Sequence, residues 1–243
     1  MRLFANMVVR NEADRYLQSC LEWLEPQVDG IFVGDDRSDD DTVNVAIGAG
    51  AVVYTRGKDE PSFLKEEGTF RSICWNRMVE VFNPGPEDWI LGIDADEFAV
   101  GKPLRQVAEQ AHRRGCISVN VRIPEIFLLD PFSQRVDGYW GGIVGTRLTR
   151  FVPGDQKFRQ PQMGSGVLPA YSYAGMNWNE RNECGIRLLH LGYACEADRK
   201  NKYERYTSIV KNGHADSHIQ SIMQTPKLQL WDGDIPNYRR GIR

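Results

Sequence analysis

Residues Trp89 to Glu97 read WILGIDADE, and the fold follows from how that stretch is read. An apolar run stops abruptly at Asp94, Asp96 and Glu97. A short apolar run bounded this way predicts a buried strand over Trp89 to Ile93. Working outward, Leu3 to Val9 is apolar and partly β-branched, which predicts another buried strand. Asn11 is placed to cap a helix on which Leu17, Cys20, Leu21 and Leu24 recur at helical spacing, and Pro26 follows its end. Ile31 to Val33 is a second strand, stopping at Gly34-Asp35-Asp36, and Thr42 to Ala49 a short helix behind the acids Asp39 to Asp41. Ala51 to Thr55 is a third strand. Phe70, Ile73, Cys74, Met78, Val81 and Phe82 form a further helical stripe, broken by Asn83-Pro-Gly-Pro86. Strand and helix thus alternate up to the WILGI strand, the pattern of βαβ units and a mostly parallel central sheet flanked by helices. One more helix, on Leu104, Val107, Ala108 and Ala111, and one more strand, Ile117 to Ile123, complete residues 1–123.

Residues 124–243 have another texture. They are rich in Gly, Pro and aromatics, with strands predicted at Thr146 to Phe151 and Ile186 to Leu191 and a helix at Glu196 to Val210. The expected organisation is one continuous α/β domain: a regular ligand-binding half over 1–123, then loops, closing strands and a C-terminal helix over 124–243. The length of 243 residues suits this, and a chain of that size needs no disulfide or metal to fold. Net charge is −3, against a dedicated nucleic-acid binder. Five scattered cysteines without a C-x-x-C pair read as reduced thiols. With no apolar run of membrane-spanning length and no signal-peptide layout, a cytoplasmic protein is expected.

In open α/β sheets, ligands bind beyond the carboxyl ends of the strands. Asn11-Glu12, Asp35-Asp36 and Asp94-Ala-Asp96 all fall at such ends. If the chain stays extended through Asp96, Asp94 and Asp96 point the same way. Two convergent carboxylates repel unless a cation or proton is shared. Mg²⁺ or Mn²⁺ suits such oxygen ligands and commonly bridges to phosphates, so the stretch reads as a metal–diphosphate clamp. A turn at a helix N-terminus is the plainer alternative.

Three blocks, Met7-Val-Val-Arg-Asn-Glu12, Val33-Gly-Asp-Asp-Arg-Ser-Asp39 and Trp89 to Glu97, resemble family 2 glycosyltransferases of the GT-A fold, in order and spacing. The resemblance covers about residues 3 to 100 well and the remainder loosely. It implies a hexosyltransferase-type enzyme that takes a nucleotide-diphosphate sugar, a UDP-sugar favoured, and a divalent cation. By that resemblance Val9, Arg10, Asn11 and Glu12 lie against base and ribose, and Asp36 hydrogen-bonds the uracil or ribose. Asp94 faces the ribose or a metal-bound water, Asp96 binds the metal, and Glu97 supports the turn. Arg71 is expected to steady a phosphate or Asp94, with a solvated helix arginine as the alternative. His190, ending an apolar strand before Gly192, is a candidate third metal ligand alongside Asp94 and Asp96, with a core histidine as the alternative. His214 and His218 are expected on a solvated surface.

Inverting transfer needs a carboxylate to deprotonate the acceptor hydroxyl. The family's usual Glu-Asp pair has no clear counterpart, which leaves Asp137, Glu180 and Glu183, with Asp137 and Glu183 preferred. If none serves, a retaining reaction is the alternative. Tyr139, Trp140, Tyr171, Tyr173 and Trp178 mark the expected acceptor region. The acceptor is a glycan, a protein or a lipid-linked hydroxyl, and a membrane acceptor would need a patch such as the basic tail from Arg239 to Arg243. A nucleotidyltransferase on a similar scaffold is the rival enzyme, but VVRNEADRY after the first strand lacks the glycines such a loop uses. A D-x-D phosphatase is a weaker rival, because its nucleophilic Asp follows the first strand of its fold. A binding protein that kept the scaffold and lost the base is the non-catalytic alternative.

Overall fold

The computed structural model describes residues 1–159, 166–174, 177–179, 184–209 and 217–238. The first half follows the predicted alternation: β1 (Leu3–Val9), α1 (Leu17–Leu24), β2 (Gly30–Asp35), α2 (Thr42–Gly48), β3 (Val52–Thr55), α3 (Phe63–Phe82) and β4 (Trp89–Gly92). Next come β5 (Glu97–Gly101), α4 (Leu104–Arg113) and β6 (Ser118–Arg122). The second half adds β7 (Ile126–Leu129), β8 (Phe132–Arg135), β9 (Val144–Arg150), β10 (Asn177–Asn179), β11 (Ile186–His190), α5 (Glu196–Ile209), α6 (Ser217–Ser221) and β12 (Leu228–Leu230).

Among the described residues, a nine-stranded sheet runs β3-β2-β1-β4-β9-β6-β11-β5, with β10 also on β6. The β3-β2-β1-β4 ladder is parallel, and β9 enters antiparallel between β4 and β6. β11 pairs parallel with β6, so it points the same way as β4 and ends on the same sheet edge. A second, three-stranded sheet joins β12, β8 and β7.

Periodicity explains the packing. Leu17, Cys20, Leu21 and Leu24 on α1, and Leu104, Val107, Ala108 and Ala111 on α4, are all buried in the main core. Each large side chain removed from water stabilises the fold by about 1.5–3 kcal/mol. On the other face α3 brings Phe70, Cys74, Trp75 and Met78 against Phe32 and Ile90. That approach needs Gly34, because a Cβ there would collide with Cys74 Sγ.

Asn11 does not cap α1, which starts at Leu17 with Tyr16 at its cap position. Two further expectations need correction. First, the chain does not stay extended through Asp96. β4 ends at Gly92, and the Glu97 N–H donates to the Asp94 carbonyl at 3.1 Å, closing a turn. The turn is required because β5 leaves β4 to pair antiparallel with β11. Asp94 and Asp96 therefore do not share a strand face. Second, β5, β7, β8, β10 and β12 lie in stretches where no strand is expected from the sequence. Each is five residues or fewer, too short for a clear period. Among the described residues, no helix is long and apolar enough to cross a membrane. The five cysteines are free thiols.

Candidate functional site

The carboxyl ends of β1, β2 and β4 open into a cavity of about 750 Å³. Val8, Val9, Arg10, Asn11, Glu12, Arg15 and Asp36 line it from the first half, with Glu67 and Arg71 of α3 and the Asp94–Asp96 turn. Tyr139, Arg147, His190, Lys202, Arg205, Tyr206 and His218 close it from the second.

The loop after β1 is held by its neighbour. Asn11 adopts a left-handed φ of 54°, a conformation Asn tolerates better than most residues. Its N–H donates to Ser38 Oγ at 2.9 Å, its Oδ1 accepts from the Asp39 N–H at 3.0 Å, and the Glu12 N–H donates to Thr42 Oγ1 at 2.7 Å. Arg15 Nη1 donates to both Glu12 carboxylate oxygens, at 2.7 and 2.8 Å. Burial pushes the Glu12 carboxyl up to about 7 against the pull of Arg15.

Asp36 is fully buried beside the cavity. It is paired with Arg56, accepts from the Phe63 N–H at 3.2 Å, and has Arg10 at 3.5 Å. Its oxygens thus already serve the protein, fixing the start of α3 to the end of β2. Asp35 accepts from the Ser38 N–H and hydroxyl. Arg71 holds Glu67 at 2.9 Å and reaches to 3.6 Å from Asp94, whose side chain is 38% exposed and faces the cavity.

Asp96 is the opposite of Asp94. It is buried, with Arg15 at 3.3 Å and Lys202 at 3.5 Å from one oxygen and His190 Nε2 at 3.3 Å from the other. Burial works against its charge, but Lys202, then His190 and Arg15, hold the carboxyl well below the usual range. Register builds this corner. β5 pairs with β11 so that Glu97 faces His190, and the Leu191 N–H donates to the Asp96 carbonyl at 2.8 Å. His190 Nδ1 lies 2.6 Å from Glu125, so the carboxylate fixes the ring and turns Nε2 toward Asp96. Burial opposes the imidazolium, yet Glu125 and Asp96 push its pKa up to about 10. Glu97 accepts from the Asp94 N–H at 3.1 Å and pairs with Arg147 at 2.7 Å, the turn-supporting geometry.

The donor set can be tested against a divalent ion. Among the described residues no group of three His, Cys, Asp or Glu side chains gathers as a full protein cage. Asp96 and His190 nonetheless present an oxygen and a nitrogen 3.3 Å apart, with a carboxylate behind the histidine. Once Nε2 gives up the proton that Glu125 and Asp96 favour, the pair fits an ion held by two protein ligands and completed by phosphate oxygens and water, as Mg²⁺-type ions commonly are.

The structure brings together Val9, Arg10, Asn11, Glu12, Asp36, Arg71, Asp94, Asp96 and His190. Asp137 is not among them. Arg135 holds it with two bonds of 2.8 Å, the Lys227 N–H adds a third at 2.9 Å, and its pKa is held down to about 2. Glu180, Glu183, His214 and the tail from Arg239 lie outside the described residues. His218 lines the cavity, packed against Tyr139 and Trp140, and is not a purely solvated residue. Sequence reading missed Arg15, Glu125, Arg147 and Lys202. Arg15 had a signal, the i,i+3 spacing from Glu12; Lys202 and Tyr206 share an i,i+4 face of α5; Glu125 and Arg147 had none.

No protein-family model matches the chain, and no curated protein matches it. Among solved structures, S. aureus TarS matches 92% of this chain and 42% of its own, with a TM-score of 0.51 and 14% identity. Glucosyl-3-phosphoglycerate synthase from Mycobacterium tuberculosis, in complex with Mn²⁺, UDP-glucose and phosphoglyceric acid, is 21% identical, covering 51% of this chain and 44% of its own, at a TM-score of 0.37. Mannosyl-3-phosphoglycerate synthase from Rubrobacter xylanophilus is 22% identical, covering 51% and 41%, at 0.38. The chain spans less than half the length of each of these structures. The likeness to TarS runs through most of the chain and is one of fold: an α/β sheet of the GT-A type.

Proposed function

We propose that the chain is a glycosyltransferase that moves a sugar from a nucleotide-diphosphate donor, a UDP-sugar favoured, to a hydroxyl acceptor with inversion. One observation carries the reading: Asp96 and His190 meet at the edge where β4 and β11 end, in the cavity lined by Val9 to Glu12 and Asp94. A cavity at the strand ends of an open α/β sheet is the place for a nucleotide. The cavity also carries Arg10, Arg15, Arg71, Arg147, Lys202 and Arg205, cations suited to a diphosphate. Asp96 and His190 would hold a divalent ion, with Asp94 facing the ribose or a metal-bound water. When bound, such an ion supplies charge stabilisation to the leaving diphosphate. Arg71 orients Asp94, and Glu125 orients His190. The acceptor hydroxyl must lose its proton to a carboxylate. The Arg135 pair argues against Asp137 in that role, which leaves Glu183 as the residue to substitute first.

The test is thermal stability with Mn²⁺ and a panel of UDP, GDP, CDP and dTDP, on wild type and Asp96→Ala. One diphosphate should stabilise the wild type selectively, only with Mn²⁺, and the effect should vanish in the variant. A nucleotide effect indifferent to Asp96, or none at all, would remove the metal–diphosphate reading.

A further inference from the structure

Lys202 stands where no solvent-facing lysine needs to stand. Its Nζ lies 3.2 Å from His190 Nε2 and 3.5 Å from Asp96 Oδ2, the same two residues that would ligate an ion. The side chain is only 12% exposed, and the Tyr193 ring lies 4.4 Å from the ammonium. The approach is built in. A Cβ on Gly192 would collide with Lys202 Nζ, Asp96 Oδ2 and His190 Nε2 together, so the missing side chain lets the three atoms converge. With His190 Nδ1 engaged by Glu125, Nε2 is the nitrogen turned to this corner, and the ammonium already faces it.

An ion bridging Asp96 and His190 would meet that ammonium at close range, in a buried setting where like charges repel strongly. A diphosphate changes the balance, because its oxygens offer the ammonium another partner. Arg205 and Tyr206, on the same side of α5, line the cavity with Lys202. We propose that Lys202 is the displaceable counter-cation of the Asp96–His190 corner, beside an Arg15 that Glu12 also holds: it excludes a free divalent ion and yields to one that arrives with a diphosphate. The inference rests on the metal-and-diphosphate reading above and adds an order of binding to it, nucleotide first or together with the ion.

The experiment is a titration of Mn²⁺, followed by the electron paramagnetic resonance signal of the free ion, on wild type, Lys202→Met and Lys202→Arg, with and without UDP. Wild type should bind Mn²⁺ alone roughly tenfold or more weakly than in the presence of UDP, and UDP affinity should rise by the same factor with Mn²⁺. Lys202→Met should bind Mn²⁺ alone roughly tenfold more tightly than wild type and lose most of the dependence on UDP. Lys202→Arg keeps the charge and should keep the exclusion, so Mn²⁺ binding without UDP as tight as with it in that variant would overturn the role even if the methionine variant does not fold. Mn²⁺ affinity without UDP that is unchanged or weaker in Lys202→Met, while UDP still strengthens it, would overturn the resident-cation role and leave the metal site standing. No Mn²⁺ bound by any of the three proteins, with or without UDP, would overturn both.

Discussion

The two walls of the cavity are charged on opposite plans. Within the first half, pairing is mostly local: Arg15 meets Glu12 three residues away, Arg71 meets Glu67 four away, and Arg56 meets Asp36 twenty away, while Arg15 also reaches Asp96 across 81. Toward the opposite wall the partners are distant: Asp96, from the first half, meets Lys202 across 106 residues, and His190 meets Glu125 across 65. The local pairs fix loops to the sheet that carries them. The distant pairs exist only once β11 has docked on β5 and α5 has closed over the corner. The difference teaches that the first wall is part of the scaffold, while the second is where a ligand can compete for partners.

His190→Ala gives the largest effect expected from this contrast. Nucleotide affinity measured by calorimetry with Mn²⁺ should fall roughly 100-fold, since the residue would hold the ion, while the fold survives. A large loss of unfolding stability with nucleotide affinity unchanged would reverse the contrast. Arg56→Ala strips the main partner from a fully buried Asp36. Its cost should be about 3 kcal/mol in urea unfolding, with nucleotide affinity less affected than by His190→Ala. A neutral outcome would show that Arg10 alone compensates Asp36.

Glu97→Gln sharpens the comparison at the seam between the walls. The bidentate contact with Arg147 is lost while the bond from the Asp94 N–H can persist. About 2 kcal/mol of stability should go. No change in the unfolding midpoint would mean that Arg147 finds another partner. The smallest effect is expected away from both walls, at Asp137. Its folded pKa is depressed from 3.8 to about 2, so its pairing stabilises the fold above the unfolded value and the contribution fades as pH falls toward 2. Because the side chain is about a third exposed, Asp137→Asn should cost only about 1 kcal/mol at pH 7. The difference from wild type should shrink in unfolding curves taken at successively lower pH. A constant gap would assign the loss to hydrogen bonds and not to charge.

Much of the first wall was legible in the sequence. Apolar runs and helical stripes marked β1 to β4 and the helices between them, because burial on a parallel sheet imposes its period directly on the chain. Asn11-Glu12, Asp36 and Asp94-Asp96 stood out because a carboxylate at the end of a buried strand is costly to desolvate unless a cation, a ligand or the backbone uses it. The turn at Asp94-Ala-Asp96 was not legible, since nothing local distinguishes a strand that continues from one that turns to reach a distant partner.

By itself, then, the sequence determined the βαβ scaffold, the strand ends that meet at the cavity and the acids on them, all set by local hydrophobic period. It also singled out His190 alongside Asp96, though not Glu125 or Lys202. Only the tertiary structure decided that Asp94 stays open while Asp96 is enclosed by Arg15, His190 and Lys202. It also decided that Glu125 backs the histidine and that Asp137 belongs to Arg135. Those outcomes depend on strand register and helix docking between segments far apart in the chain, and electrostatic partnership across such distances leaves no period in the sequence to read.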